Sequence, residues 1–212
     1  AKGGRLYDKW WKEQGAAEPT GDHALWATQD TNVRSGPATW RCKECHGWDY
    51  KGKGGAYSSG SHFTGFPGVL GAASTTSRDD LVAIMKGSKD FRHDFTATLG
   101  DDNIGHLVDF MKNGLINDTL FIDYATAKPI SADLGSGKSL FETTCALCHG
   151  TDGKQIVIDG MGIGEISRDE PAVEILHKIR VGQPGTAMPS AVVNGWSSKD
   201  AADVLGYIMT LP

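Results

Sequence analysis

The sequence predicts an all-α fold in two similar halves, on three observations. Two segments, one in each half, share the pattern Cys-x-x-Cys-His: RCKECHGWDY from Arg41 and TCALCHGTDG from Thr144. Around each lie segments of helical period in a common order. Glycine is abundant at 28 residues while aromatics are modest, which suggests short helices joined by long loops.

The elements follow in chain order. GGRLYDKWWKE opens the first half as a helix, with Leu6 and Tyr7 on its apolar side. Residues from about 14 to 40, rich in Gly, Thr, Asp and Asn, read as an inserted loop before the first cysteine pair. SRDDLVAIMKG is a helix ending at Gly87, and DDNIGHLVDFMKNG closes the half with Ile104, Leu107, Val108 and Met111 on one side. Residues 115–132 show neither period and contain Pro129, as a linker does. In the second half, GKSLFETTCALCHG places Leu140 and Phe141 where Leu6 and Tyr7 stand in the first. DEPAVEILHKIRVG is a helix with acidic residues in its first turn and Gly182 behind it, and SKDAADVLGYIMTL is the closing helix. The organisation expected is a first domain over 1–114, a linker over 115–132 and a second domain over 133–212.

A chain of 212 residues fits one large domain or two small ones. A net charge of -5 and an isoelectric point near 5.8 supply no basic footprint, which argues against a nucleic-acid partner. No apolar run approaches the length of a membrane span. Two small halves would each have a thin core, a deficit that a large apolar prosthetic group in each half would fill.

Cys42, Cys45 and His46, then Cys145, Cys148 and His149, use every cysteine in the chain. The pattern reads as c-type haem attachment. Two thiols one helical turn apart add to the two vinyl groups of one haem, and the adjacent imidazole lies beneath the iron as proximal ligand. A zinc cage explains the cysteine pairs less well, because they are far apart and each is followed by histidine. A redox dithiol normally occurs once, near a βαβ pattern, and none is visible. Two covalently bound haems are expected.

The order of helix, Cys-x-x-Cys-His, loop, helix, ligand loop and closing helix resembles the class I cytochrome c fold, over nearly the whole chain as two tandem domains. The residues that carry the resemblance are Cys42, Cys45, His46, Cys145, Cys148, His149 and the segment around Met188; the 14–40 insertion departs from the pattern. The resemblance implies that Met188, followed by Pro189, is the sixth ligand of the second haem. The first half has no Met-Pro. Aligning Gly87 with Gly182 puts His93 opposite Met188, six residues on in each case, so His93 is the expected sixth ligand there. Met85, Met111, His106, His62 and His23 are its competitors. Met85 and Met111 read as core, His106 as a surface or packing residue and His23 as a solvated loop histidine. His46 and His149 should donate their free ring N–H to a carbonyl; the family resemblance points to Pro67 for His46, and no counterpart stands out for His149.

These ligands imply an electron-transfer relay, with a lower-potential first haem (His/His) and a higher-potential second haem (His/Met). Expected partners are a donor dehydrogenase and an acceptor oxidase, reductase or reaction centre. The resemblance also implies an exported, periplasmic protein whose signal peptide has been removed. Two other readings stand beside the carrier. One is a haem enzyme of the same superfamily, peroxidase-like or thiosulfate-dehydrogenase-like, although no spare cysteine is present for the latter. The other is an electron-transfer subunit of a larger oxidoreductase.

Overall fold

A computed structural model describes residues 1–212. Just over half of the residues are helical, at 51%, and the only strands are two residues long, so the class is all-α. The chain divides into two compact units. One comprises Ala1–Ile116 with Gln183–Ala187, the other Asn117–Gly182 with Met188–Pro212.

In the first unit, α1 (Lys2–Gln14) carries its apolar stripe of Leu6, Tyr7, Trp10 and Trp11 fully into the core and ends at Gly15, whose φ of 63° is the left-handed cap glycine allows. After α1 comes the 14–40 insertion, which holds two short 3-10 turns, Trp26–Thr28 and Gly36–Trp40. It leads into α2 (Cys42–His46), then α3 (Leu70–Thr75), α4 (Arg78–Met85) and α5 (Thr96–Asn113). Ser77 caps α4 by accepting the Asp80 N–H. Helices α1 and α5 cross at Gly3: a Cβ there would collide with the His106 carbonyl and the Phe110 side chain. Tyr7 meets Phe110 at the same crossing, with ring centroids 6.0 Å apart.

The second unit repeats this register. Its helices are α6 (Leu134–Leu140), α7 (Ala146–His149), α8 (Ile163–Asp169), α9 (Ala172–Val181) and α10 (Ser198–Ile208). Between α6 and α7 the chain stays helical through a π-turn over Phe141–Cys145, so the attachment motif follows the first helix without a break. Gly137 lets α6 approach α10 at Asp203, and Phe141 meets Tyr207 at 5.5 Å. Gly3, Tyr7 and Phe110 thus find their equivalents in Gly137, Phe141 and Tyr207.

The segment expected as a linker has structure of its own. It carries a 3-10 turn at Asp118–Leu120 and a hairpin of β1 (Ile122–Asp123) with β2 (Lys128–Pro129), and from Asn117 onward it groups with the second unit. Two-residue strands are too short for a periodicity to register in the sequence. Asp118 and Ile122 are buried, and Ala132 packs where Gly206 leaves α10 bare.

Candidate haem centres

In the first unit α2 presents Cys42, Cys45 and His46 to one wall of a cavity of about 470 Å³. Leu81, Ile84 and Met85 of α4 and Leu107 and Met111 of α5 make the apolar body of that cavity, and His93 stands across it from His46. The volume lies within the roughly 300–1,000 Å³ of small-molecule and cofactor sites. No disulfide joins any two of the four cysteines. Burial pushes the Cys42 thiol up to about 12 and raises Cys45 as well, so both are neutral in this apolar setting.

The spacing of the two imidazoles would suit one metal ion between them. Their centroids are 6.3 Å apart with the planes at 78°. Imidazoles bound on opposite sides of a single metal, each through a nitrogen at about 2 Å and with the ring centroid about 1.1 Å further on, have centroids about 6 Å apart. The Nδ1–H of His46 donates to the Pro67 carbonyl at 2.7 Å, the partner expected for it, and the Nδ1–H of His93 donates to the Ile84 carbonyl at 3.3 Å. Both hydrogen bonds leave the Nε2 lone pairs for a metal. Burial lowers the pKa of both rings, His46 to about 4, which keeps each neutral and able to coordinate. Local backbone fixes His93: Asp90 caps its 3-10 turn, Lys86 bridges Asp94, and the Phe95 N–H donates to the Met85 carbonyl at 3.0 Å. Donor set, spacing and apolar walls fit a haem.

Of the competitors of His93, Met85, Met111 and His23 share its cavity, and His62 and His106 do not. Met85 and Met111 are buried and line the cavity from the helices, as core residues do. His106 is exposed on α5. His62 lies outside the cavity wall, stacked on Tyr57 and hydrogen-bonded to Glu44 at 3.2 Å. His23 corrects the expectation of a solvated residue: it is only 6% exposed and lines the cavity. The Thr39 hydroxyl and the Phe95 ring, both distant in sequence, draw it inside.

In the second unit Cys145, Cys148 and His149 sit together at α7. Burial raises the Cys145 thiol to about 11 and lowers the His149 pKa. The buried Nδ1 of His149 has no hydrogen-bond partner, so no counterpart of Pro67 is present. Met188 is half-buried in the α9–α10 loop. That loop is pinned just beyond it: the Ala191 N–H donates to the Ile179 carbonyl at 3.1 Å, and the Ser190 hydroxyl donates to that of Arg180 at 2.7 Å.

The two attachment turns share a backbone design that is also written in the sequence beyond the histidine. Each runs Cys-His-Gly-x-Asp-x-Lys, with Asp49 and Asp152 at matching positions. Gly47 and Gly150 have φ of 79° and 77°, a region glycine alone enters freely. Asp49 accepts the Lys51 N–H at 3.1 Å and Asp152 accepts that of Lys154 at 3.1 Å. The carbonyls of His46 and His149 each accept an N–H six residues on, from Gly52 at 2.8 Å and Gln155 at 3.0 Å.

The turns differ in what covers them. Lys43 and Glu44, between the first two cysteines, are buried. Glu44 pairs with Arg34 of the insertion at 3.1 Å and with Lys43 at 2.8 Å, besides its bond to His62. Burial pushes the Glu44 carboxyl up, but the His62 hydrogen bond and the Lys43 and Arg34 charges outweigh it and hold it at about 2. At the matching place in the second turn Leu147 is 86% exposed.

The helices of the second unit bring a Cys-x-x-Cys-His motif and a methionine-bearing loop into one compact unit. Residues 135–212 match the model of the cytochrome c family, a likeness that supports a c-type cytochrome and implies haem c. None of the curated proteins compared matches the chain. No helix is long and apolar enough to cross a membrane.

Proposed function

We propose that the protein is a dihaem cytochrome c of two tandem class I domains, exported to the periplasm, that relays electrons between a donor dehydrogenase and an acceptor oxidase, reductase or reaction centre. The observation that carries the haem of the first unit is the 6.3 Å spacing of His46 and His93 within one apolar cavity that Cys42 and Cys45 also line. Haem, when bound, supplies reversible one-electron ferric–ferrous chemistry.

The chain's own residues set how that chemistry is used. Cys42 with Cys45, and Cys145 with Cys148, would anchor the groups, and His46 and His149 would each supply an iron ligand. His93 would supply the other iron ligand of the first centre. Met188 would do so for the second, where its thioether favours the ferrous state and raises the potential. Two imidazoles leave the first centre lower, so the direction of transfer runs from the first unit to the second. The apolar walls exclude water and reduce reorganisation on each change of charge.

The test is a low-temperature EPR spectrum of the fully oxidised protein, integrated against total haem. Two low-spin signals in equal amount are expected, one for bis-histidine and one for histidine–methionine ligation. A stoichiometric high-spin component means an open iron position and shifts the function to catalysis.

A further inference from the structure

A haem brings two carboxylates, and an apolar cavity must answer them with donors. Most polar groups on the first unit's cavity wall are already engaged. The Tyr7 hydroxyl donates to the Gly47 carbonyl at 2.7 Å, and that of Thr39 to the Gly36 carbonyl at 2.8 Å. Arg41 is tied to Asp8, and Arg92 is paired with Asp90 at 2.6 Å. The exposed Lys89 ammonium and the Nε2 of His23, both on the wall, have no such partner.

His23 is built into place. Its backbone N–H donates to the Thr39 hydroxyl at 2.8 Å. Its ring stacks on Phe95 at 5.2 Å and 16° and meets Trp40 edge-on at 4.7 Å. Its Nδ1 accepts the Leu25 N–H at 3.2 Å, which assigns the ring proton of the neutral imidazole to Nε2. Phe95 in turn touches His93 at 5.1 Å, so His23 is one ring removed from the proposed sixth ligand. A histidine 6% exposed that lines a cavity and makes no hydrogen bond through Nε2 is an unanswered donor.

We infer that His23 is a positioning residue of the first centre, donating a hydrogen bond from Nε2 to a carboxylate of the haem held between His46 and His93. This rests on the reading of the first unit as a haem domain. The 14–40 insertion then has a purpose: it delivers this donor and, through Arg34 on Glu44, locks itself over the attachment turn. Answering a carboxylate weakens its preference for the ferric iron, so His23 raises the potential of the first centre.

The test compares His23→Phe, which keeps the aromatic stack and removes the donor, with His23→Gln, which keeps a donor at similar reach. Haem content of the whole protein by pyridine haemochrome comes first, then an EPR-monitored redox titration. The expected result is two haems per chain in each variant, unchanged ligand signals, a lowered first potential in His23→Phe and its recovery in His23→Gln. An unmoved potential in His23→Phe, or an equal fall in both variants, overturns the role of His23 and leaves the haem domain standing. A first unit without haem overturns both.

Discussion

At the scale of the residue, the unlike partners of His46 and His149 carry the argument for direction. His93→Met should raise the potential of the first centre and leave the spectrum of the second intact; if neither ferric spectrum changes, His93 is not a ligand. Met188→His should lower the higher potential, and an unchanged titration would remove Met188 from the second centre. The 78° between the His46 and His93 rings adds a finer signature. Perpendicular imidazoles leave the two π-bonding iron orbitals nearly degenerate, so the first low-spin signal should be strongly anisotropic with a single large g value. A rhombic spectrum typical of parallel rings would contradict this geometry. His93 was reached in the sequence by counting from Gly87, because a helix end and the turn behind it are local and repeat with the fold. His23 was not, since its burial is decided by Thr39 and Phe95, and no local pattern records which loop residue a distant ring will cover. The paired Asp49 and Asp152 were legible in Cys-His-Gly-x-Asp-x-Lys, and comparing the two motifs beyond the histidine finds them.

At the scale of the element, each unit depends on a close helix crossing that only glycine permits. Gly137→Ala gains about 1 kcal/mol of helix propensity, but its Cβ meets the Asp203 backbone, which no rotamer change can move aside. Overpacking of this kind costs about 1–3 kcal/mol, so the variant should lose about 1 kcal/mol net and melt earlier. Gly71→Ala on α3, where a Cβ meets nothing within 4 Å, is the matched control and should be neutral or stabilising by denaturant titration. If the two behave alike, the crossing is looser than described. The helices were legible from their period and caps: Ser77, Gly87 and Gly182 mark ends that the structure keeps. The β1–β2 hairpin was not, because pairing of two-residue strands is fixed by the α10 surface they lie on rather than by their own composition.

For the whole molecule, the charge is divided unevenly. Residues 1–116 hold 14 basic and 14 acidic side chains, whereas 117–212 hold 7 and 12, so the net charge of -5 belongs entirely to the second unit. A basic partner surface is therefore steered to that unit, and the steering is screened over about 10 Å at 0.1 M salt. In stopped-flow reduction, a cationic reagent should reach the second centre more slowly as salt rises and an anionic one faster, while the first centre responds little. Equal salt slopes at both centres would show that the division of charge has no kinetic effect.

By itself the sequence determined the helical class, the two Cys-x-x-Cys-His motifs and the places of His93 and Met188 at fixed distances from helix ends. All of these depend on spacing along the chain, which helical geometry converts directly into position. Tertiary structure alone decided that His46 and His93 face each other at the span of one metal ion, that Arg34, Lys43 and His62 converge on Glu44, and that the insertion seals His23 into the first cavity. Each of those depends on segments far apart in the chain meeting across a packed interior. The hydrophobic effect that drives them together depends on area and carries no direction, so only the folded backbone specifies which side chains meet.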